Sequence, residues 1–428
     1  METIIRVTKL AAANDVFKFS IDSPKELMVT TDTRNFIKLK GWVLGIDGTV
    51  PELVLDCGKA TRFFAGVERL DVAKVHSGAP ENCGFETFIE AGKDIKVGAL
   101  YNGTVVWLAS VSFEPVNVLV GHDGYLFLDH DSNKSVMQYS GELLIDAGNL
   151  DRWEQYFSKI EVEQSKNIFT AAFLIAPAKE YIFPEHYPVI RRGATPFDQF
   201  LSRFQYSAPI INPISQLLSS RNYSYSKIDT HWTHHGAHVA AELVCRHFGH
   251  KFVDADYDYK FVPTAGDLGV KLLPQISESL PYPDFSVLNG MRIFDNKIPN
   301  RGRVHIYANE NSSSDKTCVV FGDSFSTTLI IHLIFSFRRL VHVFSGADID
   351  WAIVNHEQPD FLLAEMTTRF LIKAPSAEFS LKSELTRKLS AFNSSQRRSA
   401  ITNLARFTDP SIEYYKSISM AELNKSSV

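Results

Sequence analysis

The sequence predicts an α/β protein: a mostly parallel sheet flanked by helices, preceded by an all-β, sandwich-like N-terminal region. Three observations carry this prediction. Up to about residue 115, short strand patterns alternate with turn residues. From about residue 116 onward, short apolar runs alternate with stretches of helical period, as in strands packed between helices. One such run, ending at Val320-Phe321, meets Gly322-Asp323-Ser324 and then another helical stretch. That places polar side chains at the carboxyl end of a strand, where open α/β sheets bind ligands.

Taken in order, Lys38 to Leu44 around Trp42 and Glu52 to Leu55 read as strands, separated by the turn chemistry of Gly45 to Gly48. Asp94 to Tyr101 and Thr104 to Ala109 flank Asn102-Gly103, a pair that tolerates the positive φ angles of a type I′ hairpin turn. Short strands with frequent turns fit a β-sandwich, a module that docks beside an enzyme or contacts glycan. Val118 to Val120 and Tyr125 to Leu128 are short strands around Gly121-His122-Asp123-Gly124. Leu150 to Val162 has helical period, and Thr170 to Ile175 is a buried strand. Thr233 to Phe248 is a helix, and Cys318 to Phe321 is a strand followed by a helix through Phe335. Leu340 to Phe344 and Phe361 to Ala364 are two more buried strands. In the Ser-rich stretch 376–428, Leu381, Leu385, Leu389 and Phe392 recur at helical spacing. A short amphipathic helix and a loosely ordered tail both fit that stretch. The expected division is therefore 1–115, 116–375 and 376–428.

Length and charge narrow the class. The 428 residues suit two or three domains. Lys plus Arg number 44 against 49 Asp plus Glu, a net charge of -5 that offers no field to attract nucleic acid. No apolar run reaches the roughly 18–20 residues that span a bilayer. Cys57, Cys83, Cys245 and Cys318 show no CxxC spacing, which points away from a zinc ribbon or a disulfide scaffold. The N-terminus, Met1-Glu2-Thr3-Ile4-Ile5-Arg6, lacks the basic segment and apolar core of a signal peptide. The expectation is a cytoplasmic protein with reduced thiols. A trimmed leader would instead place it in the periplasm and let Cys57 and Cys83 pair.

Two segments carry chemistry. Ser324 stands on a tight turn before a helix, where its backbone N–H is placed to stabilise charge on an acyl oxygen. The structural alternative is that Asp323 or Ser324 only caps the helix. A serine nucleophile needs a base, and Ile228-Asp229-Thr230-His231-Trp232 supplies a histidine with a carboxylate two residues away. In an extended segment those two side chains project the same way, so Asp229 can orient His231. The alternative is that Asp229 caps the helix that follows. His231, His234, His235 and His238 form i, i+4 pairs that can grip zinc, but no HExxH pattern is present. His234, His235 and His238 are read as surface or polar-core residues, and the metal expectation is none.

Together, Asp229-Thr230-His231-Trp232 followed by Gly322-Asp323-Ser324-Phe325-Ser326 resembles the SGNH hydrolase-like domain of the alginate O-acetyltransferase family. In that family the Asp-x-His-Trp segment precedes the Gly-x-Ser-Phe-Ser segment, the reverse of the usual SGNH order. Gly121 to Leu128 resembles the family's opening strand pair, and Tyr139-Ser140-Gly141 follows. Ile175-Ala176-Pro177-Ala178-Lys179 with Phe183-Pro184-Glu185 is similar to its Pro-x-Lys segment, and Gln358 to Arg369 to a later strand. The resemblance covers about 116–375. It implies a Ser–His–Asp acyl-transfer centre on carbohydrate, with Ser324 as nucleophile, His231 as general base and Asp229 as its orienter. Gly322, Asn289 and Arg369 are candidates around the oxyanion, and Lys179 and Trp232 around the substrate. Glu365 and Arg369, four apart, are placed for a local ion pair. The sequence departs from the family in its N-terminal β region and in showing no export signal.

The implied activity is O-acetyl transfer to a surface polysaccharide or its precursor. No tightly bound cofactor is expected. The acetyl donor is acetyl-CoA, another donor or an acyl-donating partner protein, although no Gly-rich phosphate loop supports a coenzyme A site. The alternatives are a carbohydrate esterase with the same triad and a non-catalytic glycan-binding or assembly protein. The oligomeric state is not legible.

Overall fold

The structure is a computed structural model that describes residues 3–10, 16–24, 28–30, 36–76, 78–90, 93–115, 118–255, 257–272 and 274–424. The chain divides into two compact units, Met1–Val118 with Val270–Ile276, and Leu119–Gly269 with Ser277–Val428.

The first unit contains two antiparallel sheets. One has six strands, in the order Met28–Thr30, Thr3–Lys9, Thr104–Pro115, Ile95–Tyr101, Glu52–Asp56 and Ala60–Phe64. The other has three, in the order Phe17–Ser23, Phe36–Gly45 and Gly84–Glu90. Side chains from both sheets share one core, with Ile5, Val97 and Leu108 from the larger and Phe19, Val43 and Phe85 from the smaller. The Asn102-Gly103 turn has φ of 51° and 78°, so both residues adopt the positive angles that close a two-residue hairpin. The sequence reading missed Thr3–Lys9, Phe17–Ser23, Ala60–Phe64 and Gly84–Glu90, whose apolar alternation is interrupted by charged residues.

The second unit is built on a seven-stranded sheet in the order Ile210–Ile211, Thr170–Ala176, Phe361–Thr367, Thr317–Gly322, Arg339–Phe344, Val304–Ala308 and Arg292–Asp295. The first four pairings are parallel and the last two antiparallel. The sheet is thus mixed, with an antiparallel edge that the sequence reading lacked. Because side chains alternate across a strand, each face feeds its own core. Val319 and Phe321 join Trp153 and Tyr156 of the helix Ala147–Lys166 on one face. Cys318 and Val320 join Ala237 of the helix His234–His247 and Leu329 of the helix Ser326–Leu333 on the other.

The stretch after residue 376, for which a loose tail was one expectation, instead forms the helices Leu381–Ser390, Ser394–Ala405 and Glu413–Leu423. Leu381, Leu385, Leu389, Leu404 and Tyr415 are buried in the same core as Trp153. The apolar spacing marks the face that this core covers. An antiparallel hairpin, Tyr259–Thr264 with Glu278–Pro283, was also missed. All four cysteines are free thiols, with Cys57 exposed and the others buried. Among the described residues, no helix is long and apolar enough to cross a membrane.

Candidate active site

Ser324 lies in the turn between the strand Thr317–Gly322 and the helix Ser326–Leu333. The turn is tight enough to require glycine at 322: a Cβ there would stand 2.5 Å from Ser326 Cβ and 2.7 Å from Glu365 Oε2. Asp323 is buried and braces the turn, with Oδ1 accepting the Phe325 N–H at 2.9 Å and Oδ2 the Thr367 N–H at 2.8 Å. The Asp323 N–H donates to Glu365 Oε2 at 2.9 Å. Asp323 thus braces the turn, the helix carries no side-chain cap, and the Ser324 hydroxyl is left for another partner. Among the described residues, no acceptor takes the Ser324 backbone N–H.

That partner comes from the segment before the helix His234–His247. Thr233 caps this helix through its hydroxyl, which accepts the Gly236 N–H at 3.2 Å, so Asp229 is not the cap. His231 Nε2 lies 2.8 Å from Ser324 Oγ. His231 Nδ1 lies 2.8 Å from Asp229 Oδ1, which also accepts the His231 backbone N–H at 2.8 Å. Trp232 is buried, its Nε1 donates to the Phe325 carbonyl at 3.2 Å and its ring packs edge-on against Phe325. The tryptophan therefore pins the histidine segment to the serine turn. The structure brings Ser324, His231 and Asp229 together across a separation of 93 residues.

A second carboxylate, Asp267, escaped the sequence reading. Its Oδ1 accepts the Thr230 N–H at 2.7 Å and its Oδ2 the Thr230 hydroxyl at 2.5 Å. Its own N–H donates to Asp229 Oδ2 at 3.0 Å, and Oδ2 stands 3.8 Å from His231 Nδ1. The only available signal was the short Gly266-Asp267-Leu268-Gly269 segment, which has no helical or strand period.

Lys179 plays a different part from the substrate contact that the resemblance implied. It is buried rather than solvated, and it touches the loop rather than a ligand. Its ammonium donates to the carbonyls of Ser226, Lys227 and Asp229 at 3.2, 2.9 and 2.7 Å. It is a positioning residue for the loop that carries Asp229 and His231. Burial pulls its pKa down to about 8.

Burial also opposes charge on His231, but the hydrogen bond to Asp229 and the charges of Asp229 and Asp267 outweigh it and raise its pKa above the ordinary value. Burial would raise the Asp229 carboxyl, yet the hydrogen bonds and charge of His231 and the N–H of Asp267 hold it at about 2. Beneath the turn, burial and the neighbouring Asp323 push the Glu365 carboxyl well above the ordinary carboxylate range.

Other candidates are placed elsewhere. Asn289 is exposed and lines a separate cavity of about 450 Å³ with Arg292 and Arg303, so it does not face Ser324 in the triad cavity. Gly322 acts through its missing side chain, and its carbonyl accepts the N–H groups of Ser345 and Gly346 at 2.9 Å each. Arg369 lies over the rings of Phe325 and Phe370, at 6.0 and 5.3 Å from their centroids. It forms no ion pair with Glu365, which is fully buried at the turn. His234 is buried and His235 exposed. Among the described residues, the metal-type donors that converge are those of Asp229, His231 and Asp267, within 4.8 Å of one another. All three are engaged in the hydrogen bonds just described.

A cavity of about 390 Å³ opens onto Ser324, His231 and Asp229, walled by Trp232, Tyr282 and Thr328. A serine hydroxyl hydrogen-bonded to a histidine that a carboxylate holds is an arrangement able to carry out serine acyl transfer. Residues 118–268 match the family described as SGNH hydrolase-like domain, acetyltransferase AlgX, the family that the motifs resemble. The matched stretch holds Asp229 and His231, and Ser324 lies beyond it.

No curated protein matches the chain by sequence. Among solved structures, Bacillus cereus PatB1 is 14% identical with a TM-score of 0.44, covering 62% of this chain and 98% of that one. The O-acetyltransferase domain of Pseudomonas putida AlgJ is 17% identical with a TM-score of 0.40, covering 64% and 99%. Pseudomonas aeruginosa AlgX is 13% identical with a TM-score of 0.37, covering 60% and 63%.

Proposed function

We propose that the chain is a carbohydrate O-acetyltransferase working through an acetyl-serine. The observation that carries this reading is the hydrogen-bonded line from Ser324 Oγ through His231 to Asp229, with 2.8 Å at each link. As Ser324 Oγ attacks the acetyl carbonyl, its proton passes to His231 Nε2. The oxyanion that forms is held by the Ser324 N–H at the start of the helix. Collapse breaks the bond to the donor, and His231 returns the proton to the leaving group. A sugar hydroxyl then gives its proton to His231 and attacks the acetyl-serine, and the proton passes back to Ser324 Oγ as the ester leaves. Asp229 holds the imidazole tautomer and stabilises the imidazolium in both halves. The donor is acetyl-CoA or an acetyl group handed over by a partner protein, since both present the same carbonyl.

The test is mass spectrometry after exposure to acetyl-CoA or a chromogenic acetate ester, followed by product analysis with an oligosaccharide acceptor. An acetyl adduct on Ser324, absent in Ser324→Ala, with acetylated sugar as product is the expected result. Free acetate as the sole product identifies an esterase. Full turnover by Ser324→Ala removes the serine from the mechanism altogether.

A further inference from the structure

The triad cavity is continuous in its walls with a second cavity, also of about 390 Å³. Thr233, His234, Leu280 and Pro281 line both. The second is otherwise lined by Tyr223, His235, His238, Asp254 and Tyr259, among others. Among the described residues, no lysine or arginine lines either one. Of their two carboxylates, Asp229 is bound to His231, and Asp254 pairs with His238 at 3.0 Å. Burial pulls the His234 pKa down to about 4, so its ring is neutral near pH 7. Cations do line a third cavity, through Arg292 and Arg303, but that cavity shares only Thr327 with the triad cavity.

Two buried polar atoms of residues in the triad cavity wall, Ser226 Oγ and His234 Nδ1, have no hydrogen-bond partner among the described residues. Buried polar groups are normally satisfied, so each marks a place for a ligand hydroxyl. Tyr223 is 69% exposed and Tyr259 47% exposed, which leaves their rings free to stack against the apolar face of a ring sugar.

We propose that the two cavities are adjacent subsites for an uncharged oligosaccharide, with the reacting sugar against Ser226, His234 and Ser324 and the next sugar against Tyr223 and Tyr259. This rests on the acetyl-transfer reading of Ser324 and names its acceptor class. A uronic acid polymer fits these walls less well on electrostatic grounds. Its carboxylates would enter walls that hold two acids and no lysine or arginine, and desolvating an unpaired carboxylate is costly.

The experiment is calorimetric titration of the full-length Ser324→Ala chain, which cannot turn the ligand over. The probes are neutral tetrasaccharides of glucose, galactose, mannose or N-acetylglucosamine, compared with tetragalacturonate. At least one neutral tetrasaccharide should bind ten times tighter than tetragalacturonate. Adding Tyr223→Ala and Tyr259→Ala should weaken that binding at least tenfold, with an unchanged circular dichroism spectrum. No neutral binding, an equal or tighter uronate, or indifference to the tyrosine changes overturns the proposal. The acetyl-transfer reading fails separately, if the wild-type chain forms no acetyl-serine while the neutral sugar still binds.

Discussion

At the scale of single residues, the site is governed by how two carboxylates bias one imidazole. Under the proposed mechanism His231 must be neutral to accept the Ser324 proton, and its pKa lies above the ordinary 6.5 because Asp229 and Asp267 outweigh the effect of burial. Activity should therefore rise with pH through a value above 6.5 and be lost below it. Asp267→Asn removes one of the two charges, so the acid limb of kcat/KM against pH should move to lower pH. A limb that stays in place would show that Asp267 has no hold on the base. Asp229→Asn should cost far more, about 10⁴-fold in kcat, because the tautomer is lost as well as the charge. Lys179→Met should destabilise the protein by at least about 2 kcal/mol in urea unfolding, since three buried carbonyls lose a charged donor. It should also lower kcat by loosening the loop. Unchanged stability would mean that those carbonyls find other donors.

At the scale of elements, the serine turn is shaped by close packing between a strand end and the helix that follows it. Gly322→Ala would drive a methyl group into Ser326 and Glu365. We expect a loss of about 1–3 kcal/mol with a larger proportional loss of activity, because the nearest relief is movement of the turn itself. Glu365 offers a matched pair of outcomes. Glu365→Gln keeps an oxygen for the Asp323 N–H and, since burial favours the uncharged form of Glu365, should leave melting temperature and turnover nearly unchanged. Glu365→Ala strands that N–H in the core and should cost about 1–3 kcal/mol. If Gln is as damaging as Ala, the carboxyl is ionised.

At the scale of the whole molecule, the three C-terminal helices are part of the second unit's core rather than an appendage. Leu385 is fully buried there, in the same cluster as Trp153 and Val319. Leu385→Ala should cost about 2–5 kcal/mol, read by chemical denaturation. The unfolding of these helices and the loss of ester hydrolysis should fall in one transition. Two separate transitions would show that the helices fold apart from the sheet.

The sequence by itself determined what local patterns can hold. Asn102-Gly103 fixed a hairpin because two positive φ angles restrict the residue choice, and the apolar runs around Val320, Val341 and Leu363 marked strands covered on both faces. Asp229 with His231, and Ser324 behind Gly322, stood out as candidates because residue type and short spacing suffice to single them out, and the structure places the three side chains within hydrogen-bond distance. The antiparallel edge of the sheet, the docking of the last helices, the carboxylate of Asp267 and the buried ammonium of Lys179 were decided by tertiary structure alone. Each depends on contacts between segments far apart in the chain, and a one-dimensional pattern carries no information about which distant carbonyl or apolar face will stand opposite.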